Sequence, residues 1–498
     1  MSDLGATDIE AGFDKDALRQ RSAVGAAVTL VAQGVKFVLR FGSTVVMARL
    51  LVPAEFGLVA MVGPIVAFAA ALNEVGFSQA IIRDRNLQPR QISSLFWLSL
   101  LVSGGLSAAL LASSPGVALI YREPHVTAVL ASMTGWLVLS TLSMVPLALL
   151  SREMRFVSAT VADLAGIALG IGSTVWAAWA GFSYWSLVIG QLVGAAVTAA
   201  LAFALSRWRP SFPAIAPGTG EVARFGANLT GVSVAGYVSM TADNIIVGAF
   251  AGKVALGLYD RSYGLVLQPL NQLLAPLNRV ALPLLSRVRD DPARYRRTYI
   301  QMLKLSLLLT APVMLFCVIF AHPFIRFLWG DRWIEAAPLF FWFSVGGIVS
   351  PIFTTTGWLF VSEGRTSRQF RLSVATALIS VASFVIGIRW GAVGVVRLNA
   401  FTFVLLQTPL MVWGVAKDGL VTLRDFADAL LPLVVPAALT TAALLALSSH
   451  LTGWLTLAAL ASAYAAFGLS LLVMPGGRDL AATTWRLAAS LRGGTKKT

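Results

Sequence analysis

Residues 22–48 read SAVGAAVTLVAQGVKFVLRFGSTVVMA, a run apolar enough to cross a bilayer that still carries Lys36 and Arg40 well inside its ends. As a helix it would reach about 40 Å at about 1.5 Å per residue, more than the roughly 30 Å of bilayer hydrocarbon. A cation near the middle of such a span costs on the order of 2.5–3.5 kcal/mol, so it usually faces a protein interior or a wet cavity. Thr29, Gln33, Lys36, Arg40 and Thr44 follow one another at steps of three or four, which puts them on one helix face. Two readings fit this stripe. It lines a cavity, or its long side chains snorkel to an interface or pair with a carboxylate on a neighbouring helix.

The rest of the chain has the same character. With 57% hydrophobic and 12% charged residues and a mean hydropathy of +0.78, it is far from a soluble domain, which carries about 25% charged residues. The apolar runs are about twenty residues long and do not alternate, which points to helices and not to a membrane barrel. We therefore expect an all-α integral membrane protein of about 14 transmembrane helices. The spans fall near 22–48, 57–80, 92–113, 126–150, 157–180, 183–205, 225–250, 256–285, 299–321, 336–361, 370–388, 391–416, 427–448 and 451–475.

The net charge of +15 is scattered between these runs, so it reads as a topology signal and not as a nucleic-acid surface. Loops on one side hold only Arg122, Arg326, Arg332 and Arg389, with Arg49 and Lys253 at span ends. Loops on the other side are much richer, most densely at Arg287, Arg289, Arg294, Arg296 and Arg297. The positive-inside rule then puts both termini in the cytoplasm. The acidic first twenty residues do not read as a cleavable signal peptide.

The chain also repeats itself. Val46, Ala48, Phe56, Gly57 and Leu58 align with Ile246, Gly248, Leu256, Gly257 and Leu258 at an offset of two hundred, which drifts to about 210 by Gly181 and Gly391. Six spans per copy make two parallel lobes, the arrangement that places a substrate between halves near the midplane. The expected domains are an N-lobe (1–205), a proline-rich cytoplasmic linker (206–224), a C-lobe (225–417) and a two-span hairpin with a basic tail (418–498).

Sequence signatures of chemistry are missing. Lys253 follows Gly252, but Val247 and Val254 stand where a phosphate-binding loop needs glycine and a hydroxyl. His125, His322 and His450 have no second metal ligand near them in sequence, and Cys317 is the only cysteine. The reading is therefore of a transporter that is not an enzyme, with no metal and no cofactor.

Thr241-Ala242-Asp243-Asn244-Ile245-Ile246-Val247-Gly248, then Gly252 and Leu256-Gly257-Leu258-Tyr259, form a pattern that resembles a known family. So do Ala48-Arg49-Leu50-Leu51, Glu55-Phe56-Gly57, Ser151-Arg152-Glu153-Met154-Arg155-Phe156 and the stretch from Pro283 to Asp290. The chain is similar to the polysaccharide-transporter branch of the multidrug/oligosaccharidyl-lipid/polysaccharide exporter superfamily. The resemblance implies a flippase of the bacterial inner membrane that moves undecaprenyl-diphosphate-linked oligosaccharides outward for O-antigen, capsule or exopolysaccharide assembly. It also implies membrane lipid, and possible polysaccharide polymerase and export machinery, as partners, with no nucleic acid.

A diphosphate needs cations along its path, and Lys36 and Arg40, flanked by Gln33 and Thr44, supply candidates. The face of the seventh span carries Ser233, Tyr237, Thr241 and Asn244, a neutral lining suited to sugar hydroxyls. Arg279, within the series Gln268, Asn271, Gln272 and Asn278, is the candidate cation of the second lobe. Glu74, Asp163 and Asp243 are the carboxylates available for structural pairing or ion coupling. Two other functions remain open: a multidrug or organic-cation antiporter of the same superfamily, and a membrane polymerase or ligase. The second would need a large outer loop, and the longest here, around His322 to Glu335, is short.

Overall fold

The computed structural model describes residues 31–83, 87–212, 219–448 and 456–473. Every regular element among them is helical. Eleven stretches of these residues are long and apolar enough to cross a membrane, so the protein is a multi-pass helical membrane protein. Two of the eleven, Thr241–Arg287 and Thr366–Ala416, run to 47 and 51 residues. At about 1.5 Å per residue each could cross a bilayer twice. Each is also interrupted. Helix α7 (Thr219–Arg287) breaks at Gly252, which takes φ 82°. The second stretch breaks at a 3-10 turn, Ile388–Trp390, followed by Gly391 at φ 71°. Both breaks fall between neighbouring expected spans.

The chain forms two compact units, residues 1–257 and 258–498. The first holds α1 (Val31–Leu50), α2 (Pro53–Arg83), α3 (Pro89–Tyr121), α4 (His125–Arg152), α5 (Phe156–Trp179), α6 (Trp185–Ser206) and the first part of α7. Here α4 is the hub, touching α2, α3 and α6. Helices α5 and α6 approach most closely, because Gly166 and Gly170 on one face Gly190 and Gly194 on the other. A Cβ on Gly170 would come within 2.8 Å of the Gly190 carbonyl oxygen. Membrane helices lack a hydrophobic drive toward one another, and small residues at a four-residue spacing let backbones meet. The start of α2 meets the segment after the Gly252 break in a reciprocal way. A Cβ on Gly57 would run into the Lys253 carbonyl, and one on Gly257 into that of Pro53. Both pairs stand two hundred residues apart, so this contact is symmetric in the sequence repeat.

The second unit holds the remainder of α7, then α8 (Pro292–Ile319), α9 (Ala321–Trp329), α10 (Ala337–Ser362), α11 (Thr366–Gly387) and α12 (Gly391–Thr402). A π-helical turn, Phe403–Gln407, joins α12 to α13 (Thr408–Ala416). Helices α14 (Leu423–Ser448) and α15 (Thr456–Val473) complete it. Both lie against α8, and the core there includes Tyr295, Tyr299, Leu359, Phe360, Phe426 and Phe467. The stretch expected as a loop around His322 to Glu335 is helical. Ile325, Leu328 and Trp329 recur at three- and one-residue steps and are buried with Trp333, which holds α9 and the 3-10 turn Asp331–Ala336 onto the unit.

Candidate functional site

On α1 the stripe separates into two parts. The Lys36 ammonium is ion-paired with the Asp163 carboxylate of α5, a residue 127 positions away. One turn further along, the Arg40 side chain is exposed, and among the described residues no carboxylate pairs with its guanidinium. Ser43 and Thr44 both donate their hydroxyls to the Arg40 carbonyl oxygen, at 2.8 and 3.0 Å. The Thr44 hydroxyl therefore keeps only lone pairs to offer. Gln33 is partly buried one turn before Lys36. Of the two stripe cations, one is neutralised inside the first unit, and the other stands without a described counter-charge.

Asp243 accepts a hydrogen bond from the Asn244 backbone N–H at 2.8 Å, which holds the carboxylate along its own helix. The Asn244 side chain is partly buried. The side chains of Tyr237 and Glu74 lie outside the described residues. Arg279 belongs to the second unit, where it is exposed on the segment 253–287 beside Asn278, whose Oδ1 accepts from Trp358 Nε1 at 3.1 Å. Of the candidates, the structure joins Lys36 on α1 to Asp163 on α5, and Gln33, Arg40 and Thr44 share α1 with Lys36.

Two charged clusters escaped the reading of the sequence. Beyond the end of α3, Glu123 meets Lys253 Nζ at 2.8 Å and His125 Nδ1 at 2.6 Å. At the end of α10, Arg365 pairs with Glu363 at 2.6 Å and donates to the Val415 carbonyl at 2.8 Å. The doublets Glu153/Arg155 and Glu363/Arg365, 210 residues apart, are the sequence signal that would have exposed the second. Among the described residues no three His, Cys, Asp or Glu side chains gather as a metal site would require.

The comparisons with known proteins point one way. A protein-family profile described as "Polysaccharide biosynthesis protein" matches residues 46–338, more than half of the chain. The chain is 23% identical over 389 residues to the lipopolysaccharide biosynthesis protein WzxC of Escherichia coli K12, covering 76% of this chain and 77% of that one. It is 24% identical to the teichuronic acid biosynthesis protein TuaB of Bacillus subtilis 168 over 67% of this chain and 74% of the other. With the succinoglycan biosynthesis transport protein ExoT of Rhizobium meliloti 1021 it shares 25% identity, over 65% and 66%. Among solved structures, the lipid II flippase MurJ in an inward closed conformation superposes with a TM-score of 0.73 at 13% identity, covering 91% of this chain and 99% of that one. An inward-facing multidrug resistance MATE transporter gives 0.60 at 16% identity, over 76% and 93%. Both likenesses establish the fold, that of the superfamily whose resemblance the motifs carry. By its profile match over residues 46–338, the chain belongs to the polysaccharide biosynthesis protein family.

Proposed function

We propose that this protein is a flippase that carries undecaprenyl-diphosphate-linked oligosaccharide across the bacterial inner membrane by alternating access, for assembly of a surface polysaccharide. Both termini lie in the cytoplasm on this reading, and the transported lipid, not a bond-breaking step, is its business. The observation that carries the proposal is Arg40, a guanidinium exposed within a membrane span and without a described counter-charge, in a member of this family. An intramembrane cation that no described residue neutralises is a candidate for an anionic cargo, and guanidinium matches a phosphate bidentately. Relatives named for lipopolysaccharide, succinoglycan and teichuronic acid biosynthesis support the substrate class.

The test is genetic. Deleting the gene should abolish surface polysaccharide and leave lipid-linked units facing the cytoplasm, with sensitivity to organic cations unchanged. Intact polysaccharide with new cation sensitivity would move the assignment to the multidrug antiporters that share the fold. Complementation then addresses the site. A charge-assisted hydrogen bond is worth about 1.5–3 kcal/mol, so Arg40→Gln should weaken cargo binding by roughly ten- to over a hundredfold, while Arg40→Lys keeps partial export. Wild-type export by Arg40→Gln would remove Arg40 from the path. Reporter fusions at Arg297 and Gly330 should report opposite faces of the membrane.

A further inference from the structure

Between α2 and α4 the first unit forms a half-open pocket of about 330 Å3, within the roughly 300–1,000 Å3 range of small-ligand sites. Its described lining carries no charged side chain. Asn73 comes from α2, and Trp136, Ser140, Thr141, Ser143 and Ser151 come from α4.

The hydrogen bonds give the cavity a polarity. Thr141 Oγ1 donates to the Leu137 carbonyl at 2.8 Å, so toward Asn73 it can only accept. Asn73 Nδ2 donates to it at 2.7 Å, which fixes the amide with its oxygen turned the other way. Asn73 is only 3% exposed, and its Oδ1 has no partner among the described residues. Leaving a buried acceptor unmatched is unfavourable, and natural interiors rarely do so without a reason. Ser140, Ser143 and Ser151 donate to the carbonyls of Leu137, Ser140 and Leu147 at 2.9, 2.7 and 2.9 Å. Each hydroxyl thus commits its proton to its own helix and turns lone pairs outward.

Among its described residues the pocket is neutral and rich in acceptors, with an indole in its wall. A phosphate or carboxylate brings only acceptors, and among the described lining it finds no charged donor, only the Trp136 indole N–H and the second Asn73 amide proton. A single cation is a poor fit, because Ser140 and Ser151 stand about 16 Å apart along α4, whereas its ligands must converge to about 2.3–2.6 Å. A sugar ring fits: its hydroxyls donate several hydrogen bonds, and its C–H face lies against an aromatic ring. We propose that the α2/α4 pocket is a subsite for a neutral glycosyl unit of the cargo. It rests on the reading of this protein as a carrier of lipid-linked oligosaccharide, and it separates recognition of the sugar from recognition of the charge at Arg40.

Full-length protein bearing Ser143→Cys and Cys317→Ala, purified in a sugar-free amine-oxide detergent, provides the test, with Ser140→Cys as a second reporter should Ser143→Cys fail to fold. The rate of alkylation by N-ethylmaleimide is measured with decyl glucoside, galactoside, mannoside, N-acetylglucosaminide and maltoside, and with decyl sulfate and sodium chloride. At least one neutral glycoside should slow alkylation several-fold, while decyl sulfate and sodium chloride leave it unchanged. Asn73→Leu in the same background should raise the protecting concentration roughly two- to tenfold, the effect of one neutral hydrogen bond. Protection by none of the glycosides, by decyl sulfate equally, or by sodium chloride alone overturns the proposal. Failure of the transport reading would register elsewhere, as surface polysaccharide that survives deletion of the gene.

Discussion

At the end of α4, Met154 takes φ 56°, and the Arg155 backbone N–H donates to Leu150 at 2.8 Å. At the end of α10, Gly364 takes φ 75°, and the Arg365 N–H donates to Phe360, also at 2.8 Å. Each is a left-handed helix end in which the N–H after the left-handed residue reaches back to the carbonyl five residues before it. The side chains repeat the match: Arg155 donates to the Leu205 carbonyl at the end of α6, and Arg365 to that of Val415 at the end of α13, both at 2.8 Å. All these positions are 210 residues apart. The surroundings are not alike. Arg155 and Glu153 are 40% and 53% exposed, whereas Arg365 and Glu363 are 18% and 5% exposed. In the second unit the chain continues over the turn, so the Leu420 N–H reaches Glu363, and Arg289 holds the Glu363 carbonyl at 3.0 Å. One repeat leaves the latch in the open, and the other lays the segment before α14 and the Arg289 side chain against it. The energetic weight of an ion pair is thus set by what covers it, not by its own geometry.

The largest expected effect follows from that contrast. Removing one partner of a buried pair strands the other, at about 3–5 kcal/mol, while exposed pairs contribute about 0–1 kcal/mol. Arg365→Met should therefore lower the thermal unfolding midpoint of the purified protein far more than Arg155→Met. Adding Glu363→Gln to Arg365→Met should recover part of the loss, because no uncompensated charge then stays buried. Equal losses at the two arginines would mean that burial is not what distinguishes the turns.

The cap residues sharpen the comparison at smaller scale. A side chain in the left-handed region costs roughly 1–2 kcal/mol relative to glycine. Gly364→Ala should destabilise by about 1 kcal/mol, and Met154→Gly should stabilise by a similar amount, both read from unfolding midpoints. A Met154→Gly protein less stable than wild type would show that the methionine side chain makes contacts outweighing its backbone strain.

Much of this was legible in the sequence. Apolar runs of helix length lead to a multi-pass helical membrane protein, because bilayer thickness and backbone satisfaction leave few alternatives. Gly364 signals its turn, since only glycine adopts that conformation freely, but Met154 does not, and only the offset of 210 reveals it. The Lys36–Asp163 pair is harder still. Asp163 was one of several carboxylates within reach, and nothing local in either helix says which of them α5 presents to α1. The α9 segment read as a loop because its apolar residues are too few for a span, although enough for a short helix lying on the unit. Asn73 and Thr141 are unremarked polar residues in sequence, and become a pocket only when α2 meets α4.

At the opposite ends of α4 and of the α9–α10 region the asymmetry reverses. Glu123, just after the left-handed Arg122 (φ 52°), is 14% exposed, whereas its counterpart Asp331, just after Gly330 (φ 88°), is 75% exposed beside Arg326. Burial works to raise the Glu123 carboxyl, but the hydrogen bonds from Lys253 and His125, with the Lys253 charge, outweigh it and hold the group below its ordinary 4.5. A carboxyl depressed in the folded state binds a proton more readily when unfolded, so its contribution is complete above pH 4.5 and fades as pH falls through the folded value. Because Lys253 is about one-third exposed, solvent screens the pair and the contribution should be about 1 kcal/mol. Glu123→Gln should lower the unfolding midpoint at pH 7 by more than Asp331→Asn, which should change it by less than about 0.5 kcal/mol. The deficit of Glu123→Gln relative to wild type should shrink steadily below pH 4.5. A deficit that stays constant down to the acid limit would mean that Glu123 acts through shape and not through charge, and that here, unlike at Arg365, burial has not made an ion pair.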